Sequence, residues 1–284
     1  MSILHHYIIR LLPPLSFSFP SDKPSISWHI QPVTPATMKH NALLNSLFAV
    51  LTLAFSFAQE KDSKPKELIS GEVFPHFKPV KNWFLTGSTI AVKDKSEFTC
   101  SGDGIILVNG EKKVRAPYLI TAQEYQDVEV HFEFMIPKKS NSGIYIMGRY
   151  EIQILDSFGK EKFGFGDLGG LYQRYDNSRK PKPPGFEGVS PKKNAAKAPG
   201  EWQTIDIVFR APRFDADGKK TDNARFIKVA VNGETVHENQ EAKGPTRSHP
   251  LKGEAAKGPI AIQGDHGPIA IRSFKVKPVD LSNL

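Results

Sequence analysis

Short runs of alternating apolar and polar residues recur along most of the chain. In the clearest run, Asp127–Ile136, every second residue is apolar: Val128, Val130, Phe132, Phe134 and Ile136. Side chains of a strand point alternately to its two faces, so this pattern predicts a strand with one face in a core. About a dozen such runs, separated by turn residues such as Asn232-Gly233 and Asp215–Gly218, predict an all-β sandwich of two antiparallel sheets. Only Ala122–Tyr125 has a weakly helical pattern.

The stretch Asn141–Ser157 has the most distinctive polar pattern in the chain. It predicts a turn, a strand, a break at Gly148 and a second strand. In the second strand, three polar residues alternate with apolar ones: Arg149, Glu151 and Gln153. A strand face that carries a cation, a carboxylate and an amide is typical of a sugar-binding surface. We therefore expect this hairpin to form the floor of a carbohydrate groove.

Composition and charge argue against a nucleic-acid-binding protein and against a domain held by disulfides. The 284 residues are 24% charged and 39% hydrophobic, which is ordinary for a globular domain. The net charge is +8. However, the densest basic run, 179–197, lacks helical periodicity and interleaved aromatic residues, so we predict a solvated loop and no nucleic-acid partner. The single cysteine, Cys100, excludes an internal disulfide.

The first residues have the pattern of a secretory signal. After Met38 comes a short positive start, an apolar run over 47–57, and small residues at Ser56 and Ala58. The apolar run is too short to favour a spanning helix, so we expect no stable membrane insertion after cleavage. The predicted organisation is an extension from a misplaced gene start (1–37), a signal peptide (38–58), a charged linker leading into the domain (59–82) and a sandwich domain (83–280). The expected location is secreted or periplasmic.

Eight short motifs in order resemble the 3-keto-disaccharide hydrolase family of secreted bacterial proteins. They are Asn141–Ile144, Gly148–Asp156, Gly169–Tyr172, Pro199–Trp202, Val208–Asp215, Val231–Gly233, Gly244–Thr246 and Ile262–Gly267 with Arg272. The resemblance covers about Trp83 to Lys277. It implies a concanavalin A-like jelly-roll fold and a carbohydrate partner, namely a glycoside oxidised to a ketone at C3.

Such a substrate would need an acid, a base and a group that holds the enolate oxygen, because the C3 ketone acidifies the hydrogen on C2. Within the matched motifs, the candidate catalytic residues are Glu151, His266 and Asp156, and Arg149 or Arg272 could hold the enolate oxygen. The full set of candidate substrate-binding residues is Arg149, Gln153, Asn141, Tyr172, Gln263, Asp265 and Arg272. No cofactor is predicted with certainty, and a divalent metal in the groove stays an open alternative.

Three other functions fit the same residues. The spacing Glu151-x-Gln153-x-x-Asp156 matches that of retaining β-glucanases, in which two carboxylates about 5–5.5 Å apart act as nucleophile and acid/base. A non-catalytic carbohydrate-binding module and a structural domain of the cell envelope would also suit a sandwich, since a fold does not fix a function.

Overall fold

The computed structural model describes residues 64–284, which form sixteen β-strands and one short 3-10 helix. This part of the chain contains no α-helix. The predicted extension (1–37) and signal peptide (38–58) lie outside the described residues. The 3-10 helix is Phe74–His76, and the strands are β1 (Lys66–Glu67), β2 (Phe84–Ala91), β3 (Phe98–Val108), β4 (Leu119–Tyr125), β5 (Val128–Met135), β6 (Asn141–Ile146), β7 (Tyr150–Leu155), β8 (Arg174–Tyr175), β9 (Gly185–Phe186), β10 (Gln203–Arg210), β11 (Arg213–Phe214), β12 (Lys220–Asp222), β13 (Ala224–Val231), β14 (Glu234–Ala242), β15 (Gly258–Ile262) and β16 (Ala270–Pro278).

Two antiparallel sheets make up the sandwich, which confirms the predicted architecture. The larger sheet has the order β14-β13-β10-β5-β16-β3-β2, with β1 also paired to β16. The smaller sheet has the order β4-β15-β6-β7. Several neighbours, such as β5 and β16 or β4 and β15, are distant in sequence, because the chain crosses repeatedly between the sheets as it does in jelly rolls.

One continuous apolar core fills the space between the sheets. In β5, Val128, Val130, Phe132 and Phe134 are buried, while the alternate residues face outward. The same alternation in β10 buries Ile205, Ile207 and Phe209. The smaller sheet supplies the opposite wall of the core with Ile144, Ile146, Ile152 and Ile154.

The turn predictions are confirmed at two hairpins, and the one weak helix prediction is wrong. Asn232-Gly233 joins β13 to β14, with φ of 51° and 83° at the two turn positions. Asp215–Gly218 joins β11 to β12. In contrast, Ala122–Tyr125 is not a helix. It belongs to β4, whose pairing with β15 outweighs the weak local preference for a helix.

The compact domain begins earlier than residue 83, so the predicted boundary is wrong. Lys66 and Glu67 pair with β16, and the side chains that follow are buried in the core, namely Leu68, Ile69, Val73 and Phe77. The Glu67 carboxylate accepts hydrogen bonds from the Ile69 and Phe274 backbone amides and from the Ser273 hydroxyl. Part of the predicted linker is therefore a short strand of the larger sheet followed by residues that are buried in the core.

Candidate active site

The β6–β7 hairpin divides its side chains between the core and the opposite face of the smaller sheet. Its register pairs Gly143 with Gln153 and Tyr145 with Glu151. Because the isoleucines of both strands point into the core, the alternate residues Asn141, Tyr145 and Glu151 point away from it. This face is the floor of the groove that the polar pattern predicts.

A cavity of about 240 Å³ lies over this floor. It brings together six of the predicted site residues, namely Asn141, Glu151, Gln153, Tyr172, Gln263 and His266. Its other lining residues are Tyr145, Arg247 and Ser248. The Gln153 amide donates to the Asn141 side-chain oxygen at 3.1 Å, so the two amides are held in one orientation.

Glu151 is the buried titratable group of this cavity. The residue is 2% exposed. Among residues 64–284, no ion pair includes its carboxylate. A Cβ at Gly143 would overlap the Glu151 Oε1 atom, so this glycine makes the room that the carboxylate occupies. The pKa of Glu151 is raised to about 8, mainly by burial; a hydrogen bond from Tyr145 opposes the rise, and the nearby charge of Asp265 adds to it. At neutral pH the group therefore carries a proton.

Two tyrosines that the sequence analysis did not select support Glu151. Tyr145 is hydrogen-bonded to the Glu151 carboxyl group, and the ring of Tyr118 meets its ring edge-on, with centroids 5.5 Å apart. The Tyr118 hydroxyl donates to the Ser248 carbonyl at 2.9 Å. Burial raises the pKa of both tyrosines, so their hydroxyls stay protonated. Tyr145 shares the two-residue alternation of Asn141 and Gly143, and that signal could have identified it.

His266 stands on a rigid loop between β15 and β16. Its Nδ1 atom lies 2.6 Å from Asp265 Oδ1, and both side chains are partly exposed. An imidazole whose Nδ1 is engaged by a carboxylate presents Nε2 for proton transfer. Asp265 does not line the cavity itself, so its place is behind His266.

Asn109 fixes both ends of this loop. Its amide donates to the carbonyls of Gly264 and Gly267 at 2.8 and 2.9 Å, and its oxygen accepts from the Ile269 amide at 2.8 Å. The residue is 1% exposed, so all of these bonds are shielded from water. The asparagine therefore positions a loop more than a hundred residues further along the chain.

Arg247 and Ser248 enter the cavity from the segment between β14 and β15. The Arg247 backbone amide donates to the Gln173 carbonyl, and its guanidinium lies over the Tyr175 ring, 4.2 Å from the centroid. The side chain is exposed at the rim of the cavity. It is therefore a cation available to a ligand.

With this geometry in place, comparison with known proteins identifies the family. The sequence profile of the 3-keto-alpha-glucoside-1,2-lyase-like domain matches residues 64–277. The chain belongs to this family. The resemblance stated from the motifs is thereby confirmed, and the match includes β1, which pairs with β16.

One solved structure agrees with the fold of the lyase-like domain, and others are similar to it at lower TM-scores. A candidate glycosyl hydrolase from Parabacteroides distasonis is 22% identical, with a TM-score of 0.51, and the match covers 76% of this chain and 84% of that one. A second from the same organism is 18% identical (TM-score 0.45; 76% and 100% covered). An endo-beta-1,4-glucuronan lyase from Trichoderma reesei is 11% identical (TM-score 0.37; 72% and 91% covered). At these identities the likeness concerns the fold alone. No curated protein matches the chain.

Arg149 does not reach the cavity of the lyase-like domain. Met147 and Gly148 form a tight turn with φ of 56° and 62°, and this turn ends the strand alternation before Arg149. The guanidinium donates instead to three backbone carbonyls, those of Met147, Lys252 and Gly253. Arg149 therefore anchors the segment between β14 and β15, which carries Arg247 and Ser248.

Asp156 and Arg272 are also outside the cavity. Asp156 follows the end of β7, and its Oδ2 atom accepts from the Lys139 amide at 2.9 Å, as a turn residue does. Arg272 lies on the outer face of the larger sheet. There it binds Glu133 at 2.9 Å and stacks on Trp202 at 4.5 Å. The structure therefore does not support the catalytic hypothesis for Asp156 or the enolate-holding hypothesis for either predicted arginine.

The described residues show neither a metal-binding cluster nor a membrane-spanning helix. Across residues 64–284, no three His, Cys, Asp or Glu side chains cluster closely enough to hold a metal ion. Within the same residues, no helix has the length and apolar character needed to span a membrane.

Proposed function

We propose that this domain cleaves the glycosidic bond of 3-keto-glycosides by removing the proton on C2 and expelling the substituent on C1. The observation that carries the proposal is the pairing, in one cavity, of a buried protonated carboxyl group with a histidine held by a carboxylate. Two titratable groups whose environments differ in this way suit the acid and the base of one reaction. Family membership supports the substrate class.

In the proposed first step, His266 is the base. The C3 ketone acidifies C2–H, and Nε2 takes that proton while Asp265 holds Nδ1 and stabilises the resulting imidazolium. The electron pair of the C2–H bond moves to the ketone oxygen and gives an enolate. Arg247 at the rim is the cation that would hold this oxygen, the role that sequence reasoning gave to Arg149 or Arg272.

In the second step, Glu151 is the acid. The enolate pair returns to form the C1=C2 bond, the C1–O bond breaks, and the proton of Glu151 goes to the leaving oxygen. The products are a free alcohol and an unsaturated ketone. Addition of water across C1=C2 then gives the 3-keto sugar, with a net result of hydrolysis. Tyr145 and Tyr118, which support Glu151, keep its carboxyl group in place during the proton transfer.

The β-glucanase alternative loses its second carboxylate. Retaining hydrolysis by Glu151-x-Gln153-x-x-Asp156 needs two carboxylates facing one bond, about 5–5.5 Å apart. Asp156 is bonded to the Lys139 amide outside the cavity, and Gln153 cannot act as an acid. The geometry therefore favours elimination over double displacement.

A product assay tests the proposal. Purified protein is incubated with a 3-keto-disaccharide and, separately, with the unoxidised disaccharide, each with and without a chelator. We expect 3-keto-glucose to be released only from the oxidised substrate. Equal turnover of both sugars would contradict the elimination mechanism, and saturable binding without product would identify a carbohydrate-binding module. Loss of turnover with chelator would reveal a required metal.

A further inference from the structure

The groove floor extends beyond β7 through two short segments. The Gly169 and Tyr172 amides donate to the Gln153 and Glu151 carbonyls, and Leu171 exchanges backbone hydrogen bonds with Val189. Leu171 and Val189 pack against the core, as Ile152 does. Because neighbouring residues alternate between faces, Gly170, Tyr172 and Gly188 lie on the same face as Glu151.

Phe165 covers the two glycines of this extension. A Cβ at Gly188 would lie 2.5 Å from Phe165 Cγ, and one at Gly170 would overlap the Phe165 backbone. The ring thus lies directly on the backbone of the floor. It meets the Tyr172 ring nearly at right angles, with an interplanar angle of 70° and centroids 5.6 Å apart. Both residues are partly exposed.

The aromatic corner formed by Phe165 and Tyr172 is held rigidly. The Asp167 carboxylate accepts from the Gly164 amide at 2.8 Å and the Ser157 hydroxyl at 2.9 Å, which closes the turn that carries Phe165. The Tyr172 backbone is bonded to β7. Two glycines in strand positions weaken a sheet, and they commonly mark a place where another group must approach the backbone closely. Here that group is an aromatic ring with one side open to solvent.

The cavity over Glu151 is too small for two sugar rings. Its volume of about 240 Å³ is below the range of roughly 300–1,000 Å³ that encloses drug-sized ligands. One ring would fill it and leave the second outside. Tyr172 lines the cavity and is also half of the aromatic corner, so a ligand leaving the cavity on this side meets the corner directly.

We propose that Phe165 and Tyr172 form a second subsite, which binds the apolar C–H face of the leaving sugar ring by stacking. The inference rests on the proposed function for the placement of the first ring over Glu151. Aromatic rings combine a large apolar area with little conformational freedom to lose, which suits them to this role. The corner would select glycosides whose leaving group is itself a pyranose ring.

Binding to Phe165→Ala protein tests the subsite. The ligands are a 3-keto-disaccharide of two glucose units, its unoxidised parent and 3-keto-glucose, measured by calorimetry in a Glu151→Gln background that prevents turnover. We expect affinity for both two-ring ligands to fall about five- to tenfold. Affinity for 3-keto-glucose should not change.

Matched variants separate stacking from structural support. Phe158→Ala removes a 56% exposed phenylalanine of the same segment that lines no part of the cavity, and should leave all affinities unchanged. Phe165→Leu keeps apolar volume over the glycines but has no ring, so the loss should persist. Phe165→Tyr should restore binding. An equal loss for one-ring and two-ring ligands, or restoration by leucine, would overturn the subsite.

The binding test of the subsite and the product assay of the proposed reaction can fail independently of each other. If the two-ring ligands lose affinity in Phe165→Ala but the unsubstituted protein releases no 3-keto-glucose, the proposed reaction fails and the subsite stands. If 3-keto-glucose is released and Phe165→Ala binds every ligand normally, the reaction stands and the subsite is wrong.

Discussion

The two outward faces of the sandwich carry the same kinds of residue in two different electrostatic settings. On the larger sheet, His131 Nδ1 lies 2.6 Å from Asp206 Oδ1, beside a depression of about 250 Å³. On the smaller sheet, His266 and Asp265 have the same 2.6 Å separation beside a cavity of about 240 Å³. Neither the histidine–aspartate pair nor the size of the hollow distinguishes the two faces.

One glutamate on each sheet distinguishes the two outward faces of the sandwich. Glu133 on the larger sheet is hydrogen-bonded to Arg272, and this bond holds its pKa below the usual range. Glu151 has no cation beside it, and burial raises its pKa to about 8. A carboxyl group that is kept buried without a counter-ion contributes nothing obvious to stability, which makes it a candidate for chemistry. Polar alternation alone gives both faces the same appearance.

Replacing the two glutamates should give the largest difference between the faces. Glu151→Gln removes the proton donor, so we expect kcat on a 3-keto-disaccharide to fall about 10²–10⁴-fold. Glu133→Gln should leave kcat within a factor of two or so, since exposed pairs of this kind matter little even for stability. Steady-state kinetics on both variants checks this. Equal losses would show that the cavity of the smaller sheet is not the active site.

Replacing the two histidines should give the next largest difference in kcat between the two faces. His266→Ala removes the proposed base and should lower kcat about 10²–10³-fold. His131→Ala deletes an equivalent dyad from the larger sheet and should leave kcat unchanged. The same kinetic assay applies. Full activity of His266→Ala would show that another group is the base. Glu151 would then be the first residue to test in that role.

The pKa of Glu151 should make stability depend on pH. The folded protein keeps this proton up to about pH 8, whereas the unfolded chain loses it near pH 4.3. Folding therefore binds the proton more tightly, and the free energy of unfolding should fall as pH rises from about 4.3 to 8, by about 5 kcal/mol for a shift to about 8. Glu151→Gln stays neutral, so its advantage over the unsubstituted protein should grow from pH 5 to pH 9.

Urea unfolding at several pH values measures this advantage. Glu133→Gln is the opposite control, because the lowered pKa of Glu133 adds stability that is present above its unfolded pKa and lost as pH falls through the folded one. Parallel profiles for Glu151→Gln and the unsubstituted protein would contradict the raised pKa of Glu151.

The smallest predicted effect concerns loop positioning by Asn109. Asn109→Asp replaces the amide that binds two carbonyls, and we expect kcat to fall about tenfold with little change in KM, as His266 loses its fixed place. Asn194→Asp is a close match, because Asn194 also donates to two carbonyls (Ser157 and Lys160) and accepts from one amide.

Both asparagine variants should lose about 1–3 kcal/mol of unfolding free energy, and only Asn109→Asp should lose kcat. Kinetics at a temperature where both variants are folded makes the comparison. A fall in kcat of the same size in both would mean that general loosening, and not the His266 loop, is responsible.

Periodicity predicted the strands of this domain well, because burial of one face is a local pattern. It also predicted Glu151 and Gln153 on one face, since both lie inside a regular strand. It failed at Arg149, which lies in a turn with positive φ before β7 begins, so the strand alternation does not apply to it. Asp156 was a candidate from the motif resemblance and not from the alternation, and it follows the end of the strand at Leu155.

The remaining site residues depend on long-range register. Arg247 reaches the cavity only because its segment pairs with Gln173, and Asn109 acts on a loop 155 residues further along. No local pattern encodes such contacts. The motif resemblance brought in Gln263 and His266, which lie at the cavity, but also Arg272, which lies on the other sheet.

The pairing of β1 with β16 makes the first and last strands of the described domain neighbours. The ends of the sandwich therefore lie side by side, which is the arrangement that tolerates circular permutation. A permutant could join these ends with a flexible linker and open the chain at the exposed Asp215–Gly218 turn, which lines none of the cavity. Every strand that carries the site would keep its neighbours, so the cavity could be displayed on a chain with entirely different termini.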